Sequence, residues 1–314
     1  MSSSWDIDQM PDCAEKTVLI TGANSGLGYE ATKAFAKKGA TVILGCRNKR
    51  RGKQAAIAIR DSVGNTGATL NVRRCDLASL ESVRSFADGV AADYDTLDIL
   101  CNNAGVMAIP RQETEDGFET QFGVNHLGHF ALTAQLLPLL LETEGQSRVV
   151  THASDAHRMG EVNFDDLNRE QSYGKWEAYG QSKLANLLFA YELQRRLEAA
   201  DITETISVGC HPGYAATNLQ YRGPEESGSR VQMGLMKAAN AVVGQSAAKG
   251  SLPMLYAATA PDVQGGEYYG PGGFMNMRGA PEKQSSSEAS YNEADARTLW
   301  ERSEELTGVA WEFP

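Results

Sequence analysis

Positive charge is scarce in this 314-residue sequence. Its 29 lysines and arginines stand against 40 aspartates and glutamates, which gives a formal net charge of −11. This deficit argues against nucleic acid as a partner and against adsorption to an anionic membrane, since both attract an excess of basic residues. The charge is typical of ordinary solubility, and a salt-adapted source is the alternative that it leaves open.

Long apolar runs are also missing. The longest, residues 131–141, contains threonine, glutamine and proline and is well short of the roughly 20 residues that span a bilayer. The first 12 residues are polar and acidic, without the basic and apolar regions of a signal peptide. We therefore expect no membrane partner and a cytoplasmic location.

Cysteines are few, scattered and odd in number. They are Cys13, Cys46, Cys75, Cys101 and Cys210. No CxxC spacing occurs, so the sequence predicts neither a disulfide framework nor a zinc site, and a reducing compartment fits best. The five histidines also lack a third ligand at metal-binding spacing, so we expect packed or hydrogen-bonded rings and no metal.

Strand-like and helical segments alternate through the first two thirds of the chain. Strand-like runs lie at 17–20, 41–44, 70–73, 97–100, 148–151 and 206–210. Helical patterns lie between them at 26–38, 49–61, 80–92, 117–141 and 175–199. Strands separated by helices predict parallel βαβ units, and therefore an α/β domain with a doubly wound parallel sheet and helices on both faces.

The pattern is looser beyond residue 212. We predict a loop at 220–229, helices at 231–241 and 246–259, a strand at 266–269 and a loop at 279–290. No internal repeat and no linker divide the chain. The sequence therefore predicts one domain.

A glycine-rich turn, TGANSGLG at residues 21–28, joins the first strand to the first helix. Glycines in such a turn let the backbone approach a pyrophosphate, which rests on the helix N-terminus. At the end of the second strand, an NAD enzyme usually has an acidic residue that binds the adenosine ribose. This chain has Cys46 followed by Arg47. A guanidinium there suits a 2′-phosphate, which predicts NADP(H) with NAD(H) possible; a solvated arginine is the alternative.

Tyr179 and Lys183 are four residues apart in a predicted helix, so they share a face. A phenol ionises near pH 10, and an acid–base role near neutrality needs a stabilised phenolate. A neighbouring ammonium and a nicotinamide cation could supply that stabilisation. YxxxK alone is common on helix surfaces, so the pair gains meaning only from the motifs around it.

Together these motifs resemble the short-chain dehydrogenase/reductase family over about residues 15–220. The matching elements occur in order: TGxxxGxG at 21–28, Asp76-Leu77, NNAG at 102–105, Asn125, Ser154, Tyr179, Lys183 and Pro212-Gly213. The resemblance implies a single-domain Rossmann fold over 1–314, with a cofactor-binding and catalytic core at 15–220 and a substrate-side and C-terminal segment at 221–314. It also implies an NADP-dependent oxidoreductase that moves a hydride between nicotinamide and a small-molecule carbonyl or alcohol.

The resemblance assigns roles to individual residues. Tyr179 would exchange the proton of the substrate oxygen, and Lys183 would lower its pKa and bind the nicotinamide ribose. Ser154 would polarise the substrate oxygen, and Asn125 would hold a water of a proton relay. The residues expected to contact the cofactor are Gly22, Asn24, Ser25, Gly26, Leu27, Gly28, Arg47, Asp76, Leu77, Asn103, Ala104, Gly105, Tyr179, Lys183, Pro212, Gly213 and Thr217.

Two departures from the family pattern qualify the resemblance. Ser154 and Tyr179 are unusually far apart, so residues 158–177 are interpreted as an inserted, substrate-side segment. The usual paired serine is Ala153-Ser154 here. Trp176 would line the substrate pocket or simply cap the helix.

The segments at 46–47, 122–130 and 179–186 are most similar to the branch of retinol dehydrogenases, WW-domain oxidoreductases and light-dependent protochlorophyllide reductases. Alternatives are therefore a C=C reductase of the last kind or a silent NADP(H) sensor. Relatives often pair through the Tyr/Lys helix, which makes a homodimer or homotetramer possible.

Overall fold

A mixed sheet forms the centre of this computed structural model, which describes residues 5–213, 245–273 and 276–314. Its strands are β1 (Thr17–Thr21), β2 (Thr41–Cys46), β3 (Thr69–Arg74), β4 (Ile99–Asn102), β5 (Ser147–His152), β6 (Thr205–Cys210), β7 (Tyr268–Pro271) and β8 (Pro281–Lys283). Their order is β3-β2-β1-β4-β5-β6-β7-β8. β1 to β7 are parallel, and β8 pairs antiparallel with β7.

The described helices are α1 (Gly26–Lys37), α2 (Lys49–Val63), α3 (Leu80–Asp93), α4 (Thr120–Phe122), α5 (Gly128–Leu141), α6 (Lys175–Ala199), α7 (Ala247–Gly250), α8 (Leu252–Thr259) and α9 (Glu293–Thr307). Buried side chains of α1, α2 and α8 pack on one face of the sheet. Those of α3, α5, α6 and α9 pack on the other. The prediction of a doubly wound Rossmann domain with helices on both faces is confirmed.

The sheet has a switch point between β1 and β4, where the chain reverses its direction of travel across the sheet. In open parallel sheets, ligands bind in the crevice outside the carboxyl ends of the strands at such a point. The strands place the motif residues there, because each motif directly follows a parallel strand. Gly22 follows β1, Arg47 follows β2, Asn103 follows β4, and Ser154 is two residues past β5.

The single helix predicted at 117–141 is wrong at its start. Gly117 has φ +84°, a conformation that does not continue a helix. The buried Glu119 carboxylate accepts hydrogen bonds from the backbone N–H groups of Gln121 and Phe122 and thereby starts α4. A π-helical turn, Gly123–Leu127, separates α4 from α5. The predicted helix at 246–259 is likewise two helices, divided at Ser251.

The C-terminal region differs most from prediction. The loop expected at 279–290 contains β8 and most of a 3-10 turn, Glu288–Tyr291. α9 was not predicted, although Asn292 caps it by accepting from the N–H groups of Ala294 and Asp295. The loop at 220–229 and the helix at 231–241 lie outside the described residues.

Candidate active site

The glycine-rich turn has the backbone geometry of an anion site. Gly22 and Gly26 have φ +67° and +56°, in the left-handed region that favours glycine. A Cβ on Gly28 would lie 2.6 Å from both the Asn103 Nδ2 atom and the Gly22 carbonyl oxygen, so a side chain does not fit there. Ser25 begins α1 without a side-chain capping bond. The first N–H groups of α1 therefore remain available to a pyrophosphate.

One cleft collects most of the predicted cofactor contacts. Its described lining includes Gly22, Asn24, Ser25, Gly26, Leu27, Gly28, Arg47, Asp76, Leu77, Asn103, Ala104 and Gly105. Sequence reasoning missed further lining residues: Thr21, Gly45, Cys75, Ala78, Val106, Thr120 and Val124. The twelve predicted contacts in this cleft are those expected around the pyrophosphate and adenosine of a dinucleotide. The N–H donors of the glycine-rich turn fit a pyrophosphate.

Four predicted contacts lie outside this described lining, and one lies outside the described residues altogether. Tyr179 and Lys183 are on α6, and Pro212 and Gly213 follow β6 at the same edge of the sheet. Gly213 has φ +62°, and a Cβ there would lie 2.4 Å from the Met277 carbonyl oxygen. Thr217 is the contact that falls outside the described residues.

Arg47 and Cys46 have opposite environments. Arg47 is exposed at the cleft and forms no ion pair with any residue in the described ranges. Cys46 is fully buried, and burial raises the pKa of its thiol to about 12. Hydrogen bonds from the Ala23 and Asn24 backbone act in the opposite direction and lower this pKa. Its sulfur lies 3.2 Å from where a Cβ on Gly52 would be. Arg47 therefore offers its charge to a ligand, whereas Cys46 packs beneath the turn.

A hydroxyl joins the glycine-rich turn to the NNAG loop. Thr21 Oγ1 accepts from the backbone N–H groups of Asn103 and Ala104, both at 2.9 Å. It also lies 2.9 Å from His129 Nε2, while His129 Nδ1 lies 3.0 Å from the Asn125 carbonyl oxygen. A carbonyl only accepts, so Nδ1 carries the ring proton and Thr21 donates to Nε2. The sequence analysis missed His129, whose i+4 spacing from Asn125 was the available signal.

Tyr179 and Lys183 are both buried on α6, with 5% and 4% of their surface exposed. The Lys183 ammonium donates to the His152 carbonyl at 3.1 Å and lies 5.7 Å from the centroid of the Tyr179 ring. Burial lowers the pKa of Lys183 to about 8. A largely charged lysine therefore stands beside the phenol at neutral pH.

The phenol itself is not activated in the protein alone. Burial raises the pKa of Tyr179 to about 12, and a hydrogen bond with Ser154 opposes this rise. The expected effect of Lys183 on this pKa stays a prediction. Ser154 begins the 3-10 turn Asp155–Met159 just after β5. Ala153 is buried against Leu187 and fills no polar role.

Asn125 ties the loop after β4 to the catalytic helix. Its Oδ1 accepts from the Val106 N–H at 2.8 Å, and its Nδ2 donates to the Val106 carbonyl and to Ser182 Oγ, both at 2.9 Å. A Cβ on Gly105 would lie 3.0 Å from Asn125 Oδ1 and 3.7 Å from Lys183 Nζ. These contacts position Asn125 among the catalytic groups, while the predicted relay water stays a prediction.

The segment predicted as an insertion packs against the loop after β4. Tyr173 donates its hydroxyl to the Ile109 carbonyl at 2.8 Å and accepts from Gln121 Nε2 at 2.9 Å. Trp176 is half-exposed, and its ring is edge-on to that of Tyr179 at 6.2 Å between centroids. This segment therefore forms a wall beside the phenol.

The histidines are mostly packed and hydrogen-bonded. His126 Nε2 lies 2.8 Å from Ser303 Oγ, and His211 Nε2 lies 2.9 Å from Gln284 Oε1. His152 differs, because neither ring nitrogen has a hydrogen-bond partner among the described residues and burial lowers its pKa to about 3. Over the described ranges, no group of three or more histidine, cysteine or acidic side chains could hold a metal ion.

The sequence profile described as short chain dehydrogenase matches residues 16–227, which is more than half of the chain. The protein belongs to the short-chain dehydrogenase family. It is therefore an oxidoreductase that acts on CH–OH and C=O groups with NAD(P).

Individual relatives refine this comparison. Retinol dehydrogenase 14 of Mus musculus is 41% identical over 304 residues, covering 94% of this chain and 86% of that protein. Retinol dehydrogenase 13 of Homo sapiens is 39% identical over 297 residues, covering 94% and 85%. A crystal structure of an uncharacterised protein from Mycobacterium paratuberculosis has 41% identity and a TM-score of 0.80, covering 99% of this chain and all of its own.

A more distant structure shows likeness of fold alone. A short-chain dehydrogenase of Shigella flexneri complexed with NADP has a TM-score of 0.62 at 23% identity, covering 83% of this chain and 98% of that one. In the described part of this chain, no helix has the length and apolar character needed to cross a membrane.

Proposed function

We propose that the protein is an NADP-dependent oxidoreductase that interconverts a carbonyl and an alcohol through Ser154, Tyr179 and Lys183, with Asn125 in support. The observation that carries the proposal is the buried Tyr179–Lys183 pair on α6, with Ser154 near enough to the phenol to lower its pKa. A catalytically silent sensor would have no use for this arrangement.

The proposed mechanism assigns a proton step to the protein. Bound NADPH supplies the hydride. With a pKa raised to about 12, Tyr179 is protonated at neutral pH and can donate its proton to the carbonyl oxygen during reduction. Ser154 orients that oxygen by hydrogen bonding, and the Lys183 ammonium stabilises the phenolate as the proton leaves.

The preference for NADP over NAD is assigned to Arg47. Its exposed guanidinium has no carboxylate partner among the described residues and stands at the adenosine side of the cleft. A planar fork of donors matches a 2′-phosphate. Asp76 and Leu77 would contact adenine, Asn103 and Gly105 the nicotinamide half, and Thr217 the carboxamide.

We assign the substrate to carbonyl compounds and alcohols with a large apolar body. Met159 and Trp176 are 73% and 49% exposed. Met159 ends the 3-10 turn that begins beside Ser154, and Trp176 lies about one helical turn before Tyr179. Exposed apolar side chains next to a reaction centre favour an apolar ligand. Retinal is the first compound to test, because the similar proteins bear the name retinol dehydrogenase.

The test is a screen of the purified protein with NADPH against aldehydes, ketones and activated alkenes, with NADPH binding measured alongside. We expect turnover of apolar aldehydes. Reduction of alkenes alone would replace the proposal with a C=C reductase. Tight NADPH binding without turnover of any carbonyl, alcohol or alkene would indicate a sensor.

A further inference from the structure

His157 contacts the backbone of Ser154, the serine of the proposed mechanism. The ring is fully buried, and its Nδ1 lies 2.6 Å from the Ser154 carbonyl oxygen. Its Nε2 accepts the backbone N–H of Ser287 at 3.0 Å. A carbonyl can only accept and an amide N–H can only donate, so these bonds require the neutral tautomer with its proton on Nδ1.

The Ser154 carbonyl is thereby bound twice by one residue. The backbone N–H of His157 also donates to it, at 2.9 Å. The backbone bond belongs to the 3-10 turn and does not depend on the side chain at 157, proline excepted. The ring bond is the one that links Ser154 to a segment more than 100 residues away in the sequence. Burial lowers the pKa of His157 to about 4, so the ring is neutral at neutral pH, as these hydrogen bonds require.

The outer anchor is the segment of residues 285–291 that follows β8. Arg158, the residue after His157 on the same turn, donates to the Ser285 carbonyl at 2.7 Å. Ser286 bonds the Tyr191 hydroxyl of α6 at 2.8 Å, and the rings of Tyr191 and Tyr291 stack at 5.1 Å. The anchor thus forms hydrogen bonds both to the turn after Ser154 and to α6, the helix that bears Tyr179.

We propose that His157 is a positioning residue that, together with the Ser287 N–H, fixes the Ser154 backbone and thereby aims the Ser154 hydroxyl at the substrate oxygen and Tyr179. The inference rests on the proposed function. Misplacement of a reacting group by about 1 Å can cost about 100-fold in rate. The tether, meaning the His157 ring and the Ser287 N–H that it accepts, holds the Ser154 backbone and should therefore affect turnover. It leaves the dinucleotide cleft unchanged, because no member of the tether lines it.

Two substitutions of His157 test whether the ring acts through its hydrogen bonds or only by filling space. Asparagine can place its Nδ2 donor where Nδ1 lies and restore the bond to Ser154, whereas leucine fills similar space without a donor. We expect H157L, which loses both bonds, to lower kcat for an aldehyde by about tenfold or more, and H157N, which keeps the Ser154 bond and loses the Ser287 bond, to show a smaller loss similar to that of S287P. The dissociation constant for NADPH, measured by fluorescence, should stay unchanged in both.

Ser287 supplies a second pair of variants that leaves the ring intact. Ser287 has φ −74°, a value that proline adopts; S287P removes the N–H together with the hydroxyl and directs the ring Cδ toward His157 Nε2. S287A keeps that N–H, and the serine hydroxyl it removes has no hydrogen-bond partner among the described residues. We expect S287P to lower kcat several-fold and S287A to match wild type, with NADPH binding unchanged in both.

The outcomes distinguish this inference from the proposed function. Wild-type protein that reduces no carbonyl compound would overturn the proposed function. Active wild type with equal losses in H157N and H157L would overturn the tether, since only ring volume would then matter. Full activity in H157L, or equal activity of S287P and S287A, would do the same. If H157L fails to fold, judged by thermal unfolding, the Ser287 pair decides the question.

Discussion

The two ends of the proposed site are built in opposite ways. At the proposed adenosine end, the cleft is lined by a glycine-rich turn and by the exposed side chain of Arg47, which has no ion-pair partner among the described residues. At the catalytic end, Asn125, Tyr179 and Lys183 are buried, and each is hydrogen-bonded or electrostatically coupled to protein groups. The adenosine end should therefore respond mildly to substitution, whereas the catalytic end should respond strongly and with coupling between residues.

The largest expected effect is that of Tyr179→Phe. It removes the proton donor and keeps the ring, so kcat for carbonyl reduction should fall by about 10²–10⁴-fold, the usual contribution of an acid–base group. NADPH affinity should stay within about twofold, because the substitution keeps the ring and removes only the hydroxyl. Retention of more than about a tenth of wild-type kcat would remove Tyr179 from the mechanism.

Lys183→Met should have the next largest effect, lowering kcat by roughly 10- to 100-fold and weakening NADPH binding. Lys183 has a pKa lowered to about 8, so its charged form is present below that pH and is lost above it. Carbonyl reduction by the wild type should therefore decline as pH rises through about 8. In the variant this decline should move to higher pH, where the phenol ionises. A wild-type profile that the substitution leaves unchanged would contradict the assignment.

Arg47→Ile should act on cofactor choice alone. Loss of a charge-assisted hydrogen bond, worth about 1.5–3 kcal/mol, would lower kcat/KM for NADPH by about 10- to 150-fold. Because the Arg47 side chain is exposed to solvent, we expect a loss near the lower figure. The value for NADH should change little. Arg47→Lys is the matched control, because it keeps the charge and loses the planar fork. A wild type that prefers NADH would overturn the NADP assignment.

The smallest effect concerns assembly. Every residue of α6 from Ala178 to Gln194 is buried within the chain. α9 and the aromatic rings of Trp300 and Trp311 cover this side of the molecule. The homodimer that family resemblance suggests through the Tyr/Lys helix would need that cover to move. We expect no cross-link between two copies of α6 in solution, and such a cross-link would contradict this.

The same contrast explains which features the sequence could predict. The glycine-rich turn and the bounds of α6 follow from local backbone rules, and these predictions were confirmed. α9 and the His157 tether depend on long-range partners, such as His126 with Ser303 and His157 with Ser287. The π turn Gly123–Leu127 follows α4, which the Glu119 carboxylate caps, and neither feature is visible in the periodicity of the sequence.

The raised pKa of Tyr179 was also beyond prediction. The motif spacing correctly brings Lys183 beside the phenol, but burial depends on packing around α6 and outweighs the single Ser154 hydrogen bond. The spacing of two residues fixes their proximity, whereas their protonation depends on the whole surrounding structure.

The central claim is transfer of a hydride from the nicotinamide to a carbonyl carbon. The most direct measurement uses NADPH deuterated at the transferable C4 position with an apolar aldehyde that also contains a C=C bond, such as retinal. Mass spectrometry and NMR of the product should place one deuterium on the carbinol carbon in the wild type, with that product strongly reduced in Tyr179→Phe. Deuterium on a former alkene carbon, or an alcohol product formed without deuterium, would contradict the account.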